Sequence, residues 1–232
     1  MSEQLKVVEV HLGEEGTVCM LHGFGASAQD LVPLASEVGL GHRWLFPGAP
    51  VQISVAGMYQ GQAWFPREPE ELEKALYGGY FLSLQTLQPP GLAGAAEQVR
   101  QMLDHRGVQW SQLVIGGFSQ GAMVCAEILR QALRDGLPMP AAAVILSGAL
   151  VARSWWDGVP PVGQQGRGRV LPRVYQAHGR SDRILPLEEG RALTGILEDA
   201  GFSVTLQEFS GDHSIPAEVV AGLRRFLQEN LI

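Results

Sequence analysis

The chain has 232 residues, 46% of them hydrophobic, and fits one α/β domain with a sizeable core. Its formal net charge of −7 argues against binding nucleic acid, whose phosphates demand a basic face, and against electrostatic attachment to an anionic membrane. No apolar run approaches the ~18 residues of a spanning helix, so stable membrane insertion is not expected. The start, Met1-Ser2-Glu3-Gln4-Leu5-Lys6, lacks a signal-peptide pattern, and a cytoplasmic address is expected.

Strands are predicted at Lys6–Val10 and Gly16–Leu21, followed by the glycine loop Leu21-His22-Gly23-Phe24-Gly25 and a helix over Ala28–Val38. Arg43–Phe46 is the next strand. From Gly48 to Gly91, glycines and prolines surround Tyr59, Trp64, Phe65, Tyr77, Tyr80 and Phe81. That composition predicts an ordered excursion over one end of a sheet. The alternation then resumes, with helices at Leu92–Arg106 and Gln120–Arg134 and strands at Leu113–Gly116 and Ala142–Ser147. A second excursion, Ala152 to Leu171, carries Trp155, Trp156, Pro160 and Pro161. Strands at Arg173–Ala177 and Ser203–Phe209 and helices at Leu187–Ala200 and Ala217–Asn230 complete the chain. The pattern predicts a mostly parallel central sheet with helices on both faces. Neither excursion is long enough for a separate cap domain, which predicts an open site. Cys19 and Cys125 each fall inside a predicted core element and are expected as buried, reduced thiols.

Gly117-Phe118-Ser119-Gln120-Gly121 stands between a predicted strand and a predicted helix. A G-x-S-x-G at such a turn is a nucleophile elbow, which lifts the serine hydroxyl above the sheet and aims a helix N-terminus at it. A serine hydroxyl is a poor nucleophile until a base takes its proton, and the base is usually a histidine held by a carboxylate. Two loops supply these partners in the order serine, acid, histidine. His178-Gly179-Arg180-Ser181-Asp182 follows one strand, and Gly211-Asp212-His213 follows the next. Both lie at the carboxyl ends of parallel strands, the same end as the elbow. Ser119, Asp182 and His213 are therefore the expected catalytic residues.

The other histidines fit this role less well. His22 and His178 precede glycines at strand ends, where bracing a turn is the simpler role, and His11 and His42 have no partner nearby in sequence. For the negative oxygen of a tetrahedral intermediate, the expected donors are the backbone amides of Gln120, after the nucleophile, and Phe24, in the glycine loop. That loop also matches G-x-G-x-x-A across Gly23 to Ala28, a dinucleotide fingerprint. A Rossmann unit then needs an acidic residue ~20 positions on. Phe46-Pro47-Gly48-Ala49-Pro50 stands there instead, and no nucleotide cofactor is expected. No H-E-x-x-H or cysteine cluster calls for a metal.

With these motifs in place the chain resembles the phospholipase/carboxylesterase family of α/β-hydrolases, which includes small bacterial carboxylesterases and acyl-protein thioesterases. The resemblance runs from the first glycine loop to the closing helix. Asp182-Arg183-Ile184-Leu185-Pro186 is similar to the family's aspartate, two apolar residues and proline. Ala63-Trp64-Phe65 is similar to its aromatic segment near the acyl pocket, which implies Trp64 and Phe65 as substrate-binding residues. The motifs and the resemblance together imply hydrolysis of carboxylic esters through an acyl-enzyme, and the open site and short insertions favour small to medium acyl groups on a small-molecule ester substrate over bulky glycerides. A thioester or lysophospholipid as substrate of the same triad stays open, as does a binding protein that keeps the fold without catalysis. The residues Trp64, Phe65, Trp155 and Trp156 also fit plain core packing or a subunit interface, which leaves a homodimer open.

Overall fold

The computed structural model describes residues 5–55, 59–67, 84–159 and 170–231. Its strands are β1 (Val7–His11), β2 (Thr17–Leu21), β3 (Arg43–Pro47), β4 (Val51–Val55), β5 (Tyr59–Ala63), β6 (Leu113–Phe118), β7 (Ala142–Leu146), β8 (Arg173–Gly179) and β9 (Ser203–Phe209). A seven-stranded sheet runs in the order β1-β3-β2-β6-β7-β8-β9. Every neighbouring pair in it is parallel except β1 with β3. The helices are α1 (Ala28–Leu31), α2 (Pro33–Val38), α3 (Leu92–His105), α4 (Gln120–Asp135), α5 (Leu187–Asp199) and α6 (Ala217–Asn230).

Two apolar cores follow from the two-residue side-chain period of the strands. Val18 and Met20 of β2 join Trp44, Phe46, Val114 and Val144 beneath α1, α2 and α6. Cys19 and Leu21 point the other way, joining Leu45, Ile115 and Ile145 beneath α3, α4 and α5. The central strands are thus apolar on both faces, and β7 is buried along its whole length. Helix α4 is enclosed from Gln120 to Leu133, so even its polar residues must find partners inside. Glu127 takes a two-pronged ion pair from Arg130, Nε to Oε2 and Nη2 to Oε1, each at 2.7 Å. The Gln131 amide donates to Glu127 Oε1 at 2.9 Å, and Arg130 Nη1 donates to the Trp155 carbonyl at 3.1 Å.

The two cysteines are buried and free. Desolvation pushes both thiols up, that of Cys125 to about 12. Among the described residues no helix is long and apolar enough to cross a membrane, and no cap domain is inserted between the strands.

The structure departs from the sequence reading in three places. The helix expected over Ala28–Val38 is two pieces, because Pro33 has no N–H to continue the ladder and instead starts α2. The Gly48–Gly91 excursion contains an unforeseen antiparallel hairpin, β4 with β5, in register from Val51–Ala63 to Val55–Tyr59. His11 does have a sequence neighbour as partner: alternation along β1 puts it on the face of Glu9, with Nε2 at 2.7 Å from Oε1. The remainder of that excursion, residues 56–58 and 68–83 with Tyr77, Tyr80 and Phe81, lies outside the described residues, as does 160–169 of the second.

Candidate active site

Strand β6 ends at Phe118 and helix α4 begins at Gln120, leaving Ser119 alone to turn the chain. It does so at φ 55° and ψ −117°, a conformation few non-glycine residues adopt and one that costs of order 1–3 kcal/mol. The surroundings hold it there. Ser119 N–H donates to the Leu146 carbonyl at 2.9 Å, and the Ser119 carbonyl accepts from Ala122 at 3.0 Å and Met123 at 3.2 Å. The turn brings α4 so close to β2 that a Cβ at Gly121 would collide with the Leu21 carbonyl. The serine consequently caps a sixteen-residue helix, whose N-terminal dipole favours negative charge at this point.

The glycine loop after β2 closes over the elbow. A Cβ at Gly23 would stand 3.3 Å from Ser119 Cβ. On its outer side the loop is stitched to β5: Gly25 N–H donates to the Gln62 carbonyl, and Gln62 N–H to the Ala26 carbonyl, both at 2.9 Å. Among the described residues, the Phe24 and Gln120 amides have no hydrogen-bond partner.

On the far side, β8 and β9 run on as neighbouring loops. Arg180 N–H donates to Phe209 and Ser181 N–H to Gly211, both at 2.9 Å. This carries Asp182 and His213 into contact. Oδ1 of Asp182 accepts from the Ile184 and Leu185 amides at 2.9 and 2.8 Å, and Oδ2 faces His213 Nδ1 at 2.7 Å. The Asp182 carboxyl accepts from these donors, so the His213 Nδ1 that faces it carries a proton. The His213 ring tilts across Phe118, centroids 4.8 Å apart, which puts it beside the residue preceding Ser119. Ser119 Oγ makes no hydrogen bond among the described residues. Asp212, the adjacent carboxylate, is exposed.

Trp64 and Phe65 do not present surface to a ligand: their side chains are 1% and 0% exposed and pack in the core beneath α3 and α4. Their backbone meets the elbow instead. Gln120 Oε1 accepts from Trp64 N–H, and Gln120 Nε2 donates to the Phe65 carbonyl, both at 2.8 Å. The sequence reading looked only to the Gln120 amide; the glutamine in G-F-S-Q-G was the available signal for its side chain. His22 and His178 brace turns. His22 Nδ1 pairs with the Gly23 carbonyl at 2.8 Å, and His178 Nε2 with the Leu185 carbonyl at 2.7 Å. Burial holds both rings below the ordinary histidine range, hence neutral. Among the described residues no group of three or more His, Cys, Asp or Glu could hold a metal ion.

A mostly parallel sheet, helices on both faces and a serine at a strand-to-helix elbow define an α/β-hydrolase, an enzyme of the serine hydrolase class. The profile of the Phospholipase/Carboxylesterase family matches residues 2–231, and the chain belongs to that family. A protein of Oryza sativa subsp. japonica described as a probable carboxylesterase is 27% identical over 92% of this chain and 77% of its own length. Acyl-protein thioesterase 1 of Debaryomyces hansenii is 24% identical over 81% of this chain and 76% of its own. The crystal structure of esterase PE8 superposes with a TM-score of 0.77 at 23% identity, covering 99% of this chain and all of that one.

Proposed function

We propose that this single-domain chain is a serine carboxylesterase that hydrolyses small to medium acyl esters through an acyl-enzyme, acting on a small-molecule ester in the cytoplasm. The observation that supports it best is the 2.7 Å contact of Asp182 Oδ2 with His213 Nδ1, with the imidazole lying on Phe118 beside the strained Ser119. In the first half-reaction His213 Nε2 takes the Ser119 proton as Oγ attacks the ester carbonyl. The Phe24 and Gln120 amides receive the resulting oxyanion, and loss of one such donor costs on the order of 3 kcal/mol in the transition state. His213 then returns the proton to the leaving alcohol. In the second half-reaction it deprotonates a water that attacks the acyl-serine, then gives that proton to Ser119 Oγ as the bond to the acyl group breaks and the acid leaves. Asp182 holds the Nδ1–H tautomer and stabilises the imidazolium that forms in each half. Residues of this chain suffice for every step.

Labelling with a fluorophosphonate probe, followed by peptide mass spectrometry, tests the nucleophile. A Ser119 adduct that is lost on heat denaturation and in His213→Ala is expected. Absence of an adduct on folded protein would move the non-catalytic reading to the front. The same triad serves thioesters, and the likeness to a protein named as an acyl-protein thioesterase keeps that substrate as the second reading. Rates on p-nitrophenyl esters of rising chain length against acyl-thioesters and a lysophospholipid separate them.

A further inference from the structure

The two amides assigned to the oxyanion belong to separate elements: Phe24 to the loop after β2, Gln120 to the first turn of α4. Both must reach one oxygen, and an error of 1 Å in such a constellation costs about a hundredfold in rate. Something has to fix their separation, and a continuous path of buried polar contacts joins them. It begins at Gln120, whose side-chain amide pairs with the backbone of Trp64 and Phe65 at 2.8 Å in both directions, as a neighbouring strand would. It continues through the Trp64 indole, whose Nε1–H donates to the His22 carbonyl at 2.8 Å. At His22 the path reaches the loop that carries Phe24. The His22 ring secures that end, with Nδ1–H to the Gly23 carbonyl and Nε2 accepting from Ala49 N–H at 3.1 Å.

Packing alone does not account for these residues. Gln120 is 3% exposed, and an apolar side chain of its length would fill the same space without burying an amide. The Trp64 N–H and Phe65 carbonyl, just past the end of β5, have no other partner among the described residues. Each polar group on the path meets another that needs it.

We infer that the Gln120 and Trp64 side chains are positioning residues that set the distance between the two oxyanion-binding amides, with His22 as the junction. This rests on the acyl-enzyme reading above. Neither side chain touches substrate. Both act on the oxygen only after it becomes charged, so their loss falls on the transition state and not on ester binding.

The test uses Trp64→Phe, which removes the indole N–H and keeps an aromatic ring, and Gln120→Met, which keeps length and removes both bonds. The two are made singly and together. Rates on p-nitrophenyl acetate are normalised to fluorophosphonate-titrated serine, and affinity is measured for an aryl trifluoromethyl ketone, whose serine adduct bears the oxyanion. The expected result is a kcat lowered by about ten- to a hundredfold, with KM little changed and ketone affinity falling in parallel. The pH profile of kcat/KM keeps its shape because Asp182 and His213 are untouched. The double variant is no worse than the weaker single one, since both cut the same path. Wild-type kcat and ketone affinity per titrated serine, with only thermal stability lowered, would overturn the inference, and so would fully additive losses. If one of these variants does not fold, Gln120→Asn, too short to reach the Trp64 and Phe65 backbone, takes its place. Wild-type protein that labels elsewhere than Ser119 would instead sink the acyl-enzyme reading, and the positioning role with it.

Discussion

His178 Nε2 stands 3.5 Å from Asp182 Oδ2, the same oxygen that faces His213, and donates at 2.7 Å to the Leu185 carbonyl. It therefore ties down both ends of the turn whose Leu185 amide holds Asp182 Oδ1. The ring is fully buried, and its Nδ1 has no partner among the described residues because Gly190 of α5 lies directly against it. A Cβ at Gly190 would collide with that nitrogen. Gly190→Ala is expected to cost about 1–3 kcal/mol by overpacking, and His178→Ala about 2–4 kcal/mol through a cavity and a lost brace. Urea unfolding of both variants measures this. Wild-type stability in His178→Ala would show that the turn holds without that ring, and in Gly190→Ala that the ring can give way to a methyl group.

Ser119 carries the second prediction. Ser119→Ala should lose measurable turnover while keeping fold and melting temperature. Because φ is 55° there, Ser119→Gly should be more stable than Ser119→Ala by about 1 kcal/mol, the alanine Cβ retaining a clash that glycine lacks. Equal melting temperatures would mean that the elbow is not strained.

Acid should unfold the protein in a window set by histidine. Burial holds His22, His42 and His178 below the usual histidine value of 6.5. Between their folded values and 6.5 the unfolded chain binds more protons than the native one, so stability is complete above that value and falls as pH drops. The slope is bounded by about 4 kcal/mol per pH unit if all of these rings take up a proton together. Burial raises the Glu189 carboxyl, which works weakly in the opposite sense below that range. Unfolding free energies from about pH 7.5 to about 5.5 test this, and a flat profile would refute it.

The Glu127–Arg130 pair gives a fourth prediction. Both side chains are 4% exposed, so removing one partner strands a buried charge. Glu127→Leu alone is expected to lose about 3–5 kcal/mol, whereas Glu127→Leu with Arg130→Met recovers most of it. A double variant as unstable as the single would show that Arg130's bond to the Trp155 carbonyl matters more than the pair.

The strands of the large sheet and the helices after the first were legible because their period is carried by apolar residues, as in Val114 and Ile115 or in Leu193 and Leu197. The hairpin was not. Val51-Gln52-Ile53-Ser54-Val55 does alternate, but Tyr59-Gln60-Gly61-Gln62-Ala63 has little apolar weight, and its pairing depends on a loop distant in sequence. Gly61 is there because a Cβ would strike the Gly25 carbonyl, a contact no local pattern announces. At the candidate site, strand ends and chain order single out Ser119, Asp182 and His213, and the structure brings Asp182 and His213 into contact. The likeness of Ala63-Trp64-Phe65 to the family's aromatic segment points Trp64 and Phe65 to the pocket, but aromatic residues look alike in sequence whether they face ligand or core, and here both side chains are buried. The role of the Gln120 side chain needed the position of Trp64, which only the folded hairpin supplies.

The buried thiols have a practical consequence. With the Cys125 Sγ held against the Ile115 carbonyl and both pKa values raised by burial, neither cysteine offers thiolate to a reagent at neutral pH. The native chain is expected to be silent to maleimide, so Asp212→Cys at that exposed position would accept a dye beside His213 without either native cysteine having to be removed first.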